Sequence, residues 1–379
     1  MTLRRSPPRT CSARRDAVDR APRHAPSLDV VRTIYDASRD ELAAVMDGVP
    51  GYRVEQAWHG LYRDLRPAAE IVTLPKDLRA ALVGALPEAL IPETTTECDG
   101  GTTRKYLWRL TDGGHPIESV LMHYRDRSTV CVSTQAGCAM ACGFCATGQA
   151  GFTRHLTSGE IVEQVIRAAR DAATSGRRLS NVVFMGMGEP LANPEATWSA
   201  VERLHGDLGM SARSLTISTV GIVPGIRALA ERSLPVNLAV SLHAARDALR
   251  DQLVPINRRY PIAVLLDACA DYLQRRRRRI SFEWAMIDGT NDTARDANEL
   301  ADVARSLSPH AHVNLIPLNP TPGWPTRGTP LAQVRRFAEM LAERGVNATV
   351  RANRGTSIAA ACGQLAAGQP VTMRSTRAG

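Results

Sequence analysis

The chain has 379 residues, a formal net charge of +9 and 44% hydrophobic residues. This length allows one large domain with a smaller companion, and the sequence has no apolar run of about 18 residues, which excludes a membrane-spanning helix. Eight cysteines are few for a disulfide framework in a chain of this length, so cytoplasmic thiols with metal or redox roles are favoured.

The positive charge is concentrated in two segments. Residues 1–27 contain seven arginines against two aspartates, and Arg275–Arg279 is a run of five arginines. Basic segments of this kind can bind a polyanion such as RNA. The run at Arg275–Arg279 is equally consistent with a solvated helix end, where cations interact favourably with the helix dipole.

The first 127 residues divide into three predicted regions. Residues 1–27 are rich in Arg, Pro and Ser and are expected to form a disordered basic tail. Residues 28–100 have apolar side chains at helical spacing, which predicts a small helical accessory domain. The resemblance to a known family given below implies that this domain contacts RNA. Residues 101–127 predict a β-hairpin extension, because two alternating stretches, 104–110 and 117–124, flank a glycine-rich turn.

Strand and helix patterns alternate from residue 128 onward. Strands are predicted at 129–133, 181–185, 215–219, 236–241, 280–287 and 312–317, and helices at 158–174, 194–206, 223–232, 246–253, 262–274, 294–307 and 330–344. Repeated β-then-α units indicate parallel strands with right-handed crossovers. Six units are too few for a closed eight-fold barrel. We therefore predict an α/β fold with a partial (β/α)6 barrel at 128–367 and a flexible tail at 368–379.

Three cysteines lie close together after the first predicted barrel strand. Cys138, Cys142 and Cys145 have C-x3-C-x2-C spacing, and no fourth cysteine or histidine nearby completes a closed site. Three thiolates on a [4Fe-4S] cluster would leave one iron open to a cofactor, and the motif resembles that of the radical S-adenosylmethionine (SAM) superfamily. A zinc site is the alternative, although it normally needs a fourth ligand.

Polar residues follow several of the other predicted strands. Gly186-Met187-Gly188-Glu189-Pro190 combines glycines, which let the backbone approach a ligand, with a carboxylate that suits an ammonium group. Further hydrogen-bonding residues lie at the ends of the third, fourth and sixth barrel strands, and they are Ser218, Ser241, His243 and Asn319. Because the carboxyl ends of barrel strands meet at one rim, these residues are expected to line one site.

Longer motifs resemble the RlmN/Cfr family of adenosine methyltransferases, and its RlmN branch in particular. The matching stretches are Cys131–Cys138, Asn181–Pro190, Ser241–Ala244, Leu315–Pro320 and Ala360–Leu365. The resemblance covers about residues 40 to 367. It departs from the usual family pattern at Asn353–Ser357 and Ala245–Arg246, which could alter substrate range or rate.

The resemblance implies a radical-SAM methylation of adenosine C2 in 23S ribosomal RNA, and of the adenosine 3′ of the anticodon in tRNA. By resemblance, Cys362 takes a methyl group from one SAM, and a radical derived from a second SAM converts this methyl into a carbon radical that adds to C2. Cys131 then attacks the sulfur of Cys362, forming a transient disulfide, and Glu118 accepts the C2 proton.

The resemblance also implies cofactors and partners. Cys138, Cys142 and Cys145 would bind the [4Fe-4S] cluster, and the SAM contacts would be Gly188, Glu189, Ser218, Ser241, Leu242, His243 and Asn319. Flavodoxin or ferredoxin would supply electrons to a cytoplasmic monomer that has no membrane partner. Two alternatives remain open, namely C8 methylation of the same adenosine and a non-catalytic, zinc-stabilised RNA-binding protein.

Overall fold

The computed structural model describes residues 33–307, 309, 311–321, 324–352 and 354–367. The predicted tails at 1–27 and 368–379 lie outside these residues, as does Asn353. The described chain opens with the helices α1 (Arg39–Val45), α2 (Gly51–Tyr62) and α3 (Lys76–Ala85). These are followed by the strands β1 (Leu90–Cys98), β2 (Thr103–Leu110), β3 (Pro116–His123) and β4 (Ser128–Cys131).

Helices and strands then alternate. The first half contains β5 (Gln135–Gly137), α4 (Ala146–Ala150), β6 (Phe152–His155), α5 (Ser158–Thr174), β7 (Leu179–Phe184), α6 (Pro194–Gly206), β8 (Leu215–Thr219), α7 (Val223–Glu231) and β9 (Asn237–Ser241). The second half contains α8 (Asp247–Leu253), α9 (Ile262–Arg276), β10 (Ile280–Met286), α10 (Ala294–Ser306), β11 (Ala311–Pro317), α11 (Leu331–Glu343) and β12 (Ala348–Val350).

Ten of these strands form one sheet, in the order β1-β2-β3-β4-β7-β8-β9-β10-β11-β12. Neighbouring strands from β4 to β12 are parallel, whereas those from β1 to β4 are antiparallel. Helices connect the successive parallel strands. The predicted α/β architecture of a partial barrel is confirmed, with an antiparallel extension at one edge.

Two parts of the sheet differ from the sequence-based expectation. Residues 90–98 form β1 instead of belonging to the helical region, and they pair with β2 over most of their length. The parallel part gains β12, a three-residue strand beside β11. Both strands depend on pairing with a distant segment, and their own side chains are mostly exposed or half-buried.

The helix α5 begins at the capping box that the sequence predicted. The Thr157 hydroxyl accepts a hydrogen bond from Glu160 N, while the Glu160 carboxylate accepts one from Thr157 N. The carboxylate of Asp36 also accepts a hydrogen bond from Gly159 N, at 2.6 Å. A side chain at Gly159 would collide with Asp36, so the glycine permits this contact between the N-terminal region and the barrel.

None of the helices in the described part of the chain has both the length and the apolar character that a bilayer span requires.

Candidate active site

One cavity of about 220 Å³ contains nearly all of the predicted site residues. The residues that line it are Cys131, Cys138, Cys142, Cys145, Gly188, Glu189, Ser218, Ser241, His243, Asn319 and Cys362. They come from the loop after β4, from the carboxyl ends of several strands and from the segment 354–367. Leu242 and Glu118 are buried but are not among the lining residues.

The cysteine loop is fixed at its start by a short two-stranded ladder, β5 with β6. Cys138 N donates to Gly151 O at 2.7 Å, and a Cβ at Gly137 would lie only 2.0 Å from that oxygen. Gly137 has φ of 76°, a conformation that favours glycine. The ladder therefore sets where the first cysteine enters the cavity.

The three loop cysteines have the chemistry of cluster ligands. Burial raises the pKa of Cys138 to about 12 and that of Cys142 well above its ordinary value, with further contributions from neighbouring cysteines. Buried thiols of this kind become thiolates when iron is bound, because metal ligation deprotonates them. Phe144 packs with Cys142 in an apolar cluster beside the loop. Among the described residues, no three His, Cys, Asp or Glu side chains are grouped as ligands of a single metal ion.

Glu189 lies deep in the cavity wall with its carboxylate already hydrogen bonded. Leu191 N donates to Oε1 at 3.0 Å and Val220 N donates to Oε2 at 2.8 Å. Burial raises the pKa of this carboxyl to about 7, and the bonds from Val220 and Leu191 oppose the shift. Each carboxylate oxygen can accept a further bond, so Glu189 can also receive an ammonium group.

His243 is held as a neutral ring. Its Nδ1 accepts a hydrogen bond from Ala285 N at 3.0 Å, which leaves Nε2 as the protonated nitrogen. Burial, with a smaller effect from Arg250, lowers the pKa of His243 to about 3. Asn291, which the sequence analysis did not single out, donates to the carbonyls of His243 and Ala285. The ring therefore offers an N–H donor without a positive charge.

Arg250 is a fully buried cation that the sequence analysis also missed. Its guanidinium donates to the carbonyls of Val220, Ser241 and Leu242 and to the side-chain oxygen of Asn257. These acceptors are all neutral, and the three carbonyls follow or end β8 and β9. Arg250 therefore joins two strand ends that form the cavity wall.

Leu242 shapes the wall through its backbone. Its N–H donates to Glu283 O at 3.1 Å, and its carbonyl accepts from Arg250 Nε at 3.0 Å. Its side chain is fully buried. These contacts fix Ser241 and His243 on either side of it.

Cys131 and Cys362 face the same cavity from opposite parts of the chain. Cys131 ends β4 and is buried, whereas Cys362 is exposed to the cavity on the segment 354–367. Burial raises the pKa of both thiols, the charge of Cys362 raises that of Cys131 further, and Arg351 lowers that of Cys362. Both thiols thus belong to the lining of one cavity.

The segment 354–367 is bonded to both sides of the cavity. Asn319 Nδ2 donates to Cys362 O at 3.3 Å, and Ala146 N of the cysteine loop donates to Gly363 O at 2.8 Å. On the other side, Glu118 Oε2 accepts from Ala366 N and Ala367 N, each at 3.0 Å. Glu118 Oε1 also pairs with Lys105 at 2.9 Å.

These contacts give Glu118 an anchoring function in the fold. Its predicted role as a proton acceptor is not tested by this arrangement and stays a prediction.

The arginine run at Arg275–Arg279 lies at the end of α9 and before the amino end of β10. Arg276 donates to Ala230 O and Arg278 donates to Asn237 Oδ1, each at 2.7 Å, while Arg275 pairs with Glu231. These bonds support the helix-end interpretation. None of these five arginines is among the residues that line the cavity.

Ala245–Arg246, one of the two departures from the family pattern, lies just before α8. Arg246 pairs with Asp296 and Glu299 of α10, at 2.7 and 2.6 Å.

Comparison with known proteins gives consistent matches. Residues 132–304 match the Radical SAM superfamily. A probable dual-specificity RNA methyltransferase RlmN from Parafrankia sp. (strain EAN1pec) is 53% identical, with 91% of this chain and 94% of that protein covered. A relative of the same description from Chloroflexus aurantiacus is 49% identical, with 88% and 93% covered. The crystal structure of a radical SAM methyltransferase from Sphaerobacter thermophilus is similar, with a TM-score of 0.85 and 50% identity. The match covers 89% of this chain and 99% of that chain.

Proposed function

The chain belongs to the RlmN family of dual-specificity RNA methyltransferases in the radical SAM superfamily, and on this premise we propose that it methylates C2 of adenosine. The proposed substrates are an adenosine of 23S ribosomal RNA and the adenosine 3′ of the anticodon in tRNA. The observation that carries the proposal is that Cys131 and Cys362 line one cavity together with the three loop cysteines.

The residues present fit the two cofactors that this chemistry needs. Cys138, Cys142 and Cys145 would hold a [4Fe-4S] cluster, since three thiols face the cavity and leave one coordination position for SAM. When bound, the cluster supplies the electron that splits SAM. Glu189 would accept the ammonium group of SAM, and the neutral His243 would donate from Nε2 to an acceptor atom. The remaining proposed contacts are Gly188, Ser218, Ser241 and Asn319.

Cys362 is proposed to carry the methyl group. As a thiolate it displaces the methyl from the sulfonium of SAM, so that a sulfur–carbon bond forms and S-adenosylhomocysteine leaves. Burial disfavours this thiolate and Arg351 favours it. Exposure of Cys362 to the cavity gives SAM and RNA access to the sulfur.

Cys131 is proposed to release the product. To bond to C2, the methyl carbon of Cys362 would first give up one hydrogen atom to the radical that a second SAM supplies, and the adduct would then lose one electron together with the C2 proton. The enzyme and RNA are then covalently joined. The Cys131 thiolate attacks the Cys362 sulfur, a disulfide forms, and the electron pair of the broken sulfur–carbon bond takes up a proton on the new methyl group. The C2 proton leaves to a base, for which Glu118 is the proposed acceptor.

The test is to trap the covalent adduct with Cys131→Ala. The anaerobically reconstituted variant, given SAM, dithionite and a tRNA transcript, should form a protein–RNA adduct that survives denaturation, because attachment can occur but release cannot. Cys269→Ala is the matched control, since Cys269 is a buried thiol that is not among the cavity-lining residues. It should release methylated RNA without an accumulated adduct.

Two results would contradict the proposal. Release of free methylated RNA by Cys131→Ala would rule out its role as the resolving thiol. Nucleoside mass spectrometry of the wild-type product should give 2-methyladenosine, and a C8-methylated product would overturn the C2 assignment.

A further inference from the structure

Several residues that line the cavity have no role in the cofactor proposal. They include Met122, Tyr124, Ala352 and Arg354. Tyr124 belongs to the turn before β4, whereas the cysteine loop follows that strand. The RNA base has to reach Cys362 from the side that the cofactors leave free.

Two guanidinium groups lie over the ring of Tyr124, which lines the cavity. One belongs to Arg354, which also lines the cavity, and the other to Arg127, which is not among the lining residues. The Cζ atoms of Arg127 and Arg354 each lie 4.4 Å from the centroid of the Tyr124 ring, so these two guanidinium carbons are less than about 9 Å apart. We call Tyr124, Arg127 and Arg354 the arginine–tyrosine cluster. Arg354 Nη1 donates to His123 O at 2.8 Å and to the Thr102 hydroxyl at 3.4 Å, which fixes this guanidinium beside the ring.

Among the described residues, the cluster carries more positive charge than its surroundings neutralise. Both hydrogen bonds that Arg354 makes within this part of the chain go to neutral oxygens. Asp99 is close enough for Arg354 to help lower its pKa, but its carboxylate already accepts bonds from Thr103 and Gly355 N. The partner of Arg127 is Asp126, whose side chain is 74% exposed, so this pair contributes little.

A third guanidinium is bonded to the same turn. The exposed Arg177 donates to Tyr124 O at 2.8 Å. Like charges at this spacing repel one another, and a bound anion would relieve the repulsion.

We propose that the arginine–tyrosine cluster binds the sugar–phosphate backbone of the RNA substrate next to the target adenosine. This inference rests on the proposed function and assigns the substrate-binding residues of the same cavity. Guanidinium groups match phosphate oxygens in geometry and charge, and RNA presents phosphates on either side of every base. The position also argues against an acidic electron donor, which has to approach the cysteine loop at the other end of β4.

The test is the salt dependence of RNA affinity. The dissociation constant of a fluorescent tRNA transcript would be measured for the reconstituted full chain between about 50 and 200 mM salt. Arg354→Gln should raise the constant several-fold and reduce the slope of log Kd against log salt by about 1, as expected for one lost phosphate contact. Arg127→Gln should act in the same way. Its side chain is partly exposed, so this variant tests the proposal even if Arg354→Gln does not fold.

Matched controls separate loss of charge from loss of the cluster. Arg227→Gln removes an exposed guanidinium on α7 and should leave the slope unchanged. Tyr124→Phe keeps the ring and should bind like wild type, whereas Tyr124→Leu should bind more weakly because the guanidiniums lose their support.

Each outcome has one meaning. If Arg354→Gln and Arg127→Gln both keep the wild-type slope of log Kd against log salt, the cluster proposal is overturned. It is also overturned if these variants bind RNA normally but have a raised KM for flavodoxin. Failure of the wild-type protein to bind RNA would instead contradict the proposed function itself.

Discussion

At the scale of single residues, Glu189 combines two roles that depend on its charge. Its carboxylate holds the backbone of Leu191 and Val220, and it is the proposed acceptor for the ammonium group of SAM. Burial raises its pKa to about 7 from the ordinary carboxyl range. Ionisation of Glu189 therefore destabilises the folded protein above pH 7. This destabilisation disappears as the pH falls toward the pKa that the carboxyl has in the unfolded chain. Ligand binding has the opposite requirement, because only the ionised form pairs with an ammonium group.

We accordingly predict that SAM binding weakens as the pH falls below about 7. The dissociation constant, measured by equilibrium dialysis on the reconstituted protein, should rise by nearly tenfold per pH unit well below the pKa, because one proton has to leave Glu189 for each SAM bound. Glu189→Gln should bind SAM weakly at every pH, since its amide cannot ionise. A Gln variant that keeps the wild-type pH profile would show that another group titrates.

At the scale of secondary-structure elements, the predicted bounds are correct where local signals in the sequence begin a helix. The bounds of α5 and α6 match the predicted ranges, because a capping box begins α5 and a proline begins α6. The strands β1 and β12 were missed, since their pairing partners are distant in the sequence and few of their side chains are buried. The site residues predicted from family motifs and strand ends, apart from Leu242 and Glu118, line one cavity, while their roles stay predictions. Arg250 was not, because an arginine on a helix is usually exposed and only the tertiary structure shows its burial.

Arg250 also provides a test of how the strand ends are held together. We predict that Arg250→Met lowers the free energy of unfolding by about 3 kcal/mol or more, because each buried acceptor left without a donor costs roughly 1–3 kcal/mol. Guanidinium chloride denaturation of the apoprotein measures this loss. Arg227→Met is the control and should lose less than about 1 kcal/mol, since it removes only two exposed ion pairs, with Asp267 and Asp271. Equal losses in the two variants would mean that the carbonyls of β8 and β9 do not depend on Arg250.

At the scale of the whole molecule, the segment 354–367 links β12, at one edge of the open sheet, to the antiparallel extension. Its first residues follow β12 at one edge, and its later residues bond to β2 and β3 of the antiparallel extension through Lys105 and Glu118. Cys362 lies between these attachments and faces the cavity. The antiparallel extension therefore positions the proposed methyl-carrying thiol, although it lies outside the parallel sheet.

Substitution of Glu118 can separate anchoring from proton transfer. In Glu118→Gln the amide oxygen can still accept bonds from Ala366 N and Ala367 N, so amide hydrogen exchange in residues 361–367 should remain at the wild-type rate. The same variant cannot take up the C2 proton as a carboxylate does. We therefore expect product release to slow by about 100-fold or more, with covalent RNA adduct accumulating as in Cys131→Ala. Glu118→Ala should in addition increase hydrogen exchange in this segment, because both backbone donors lose their acceptor. Normal product release by Glu118→Gln would show that this carboxylate only anchors the segment and that another group accepts the proton.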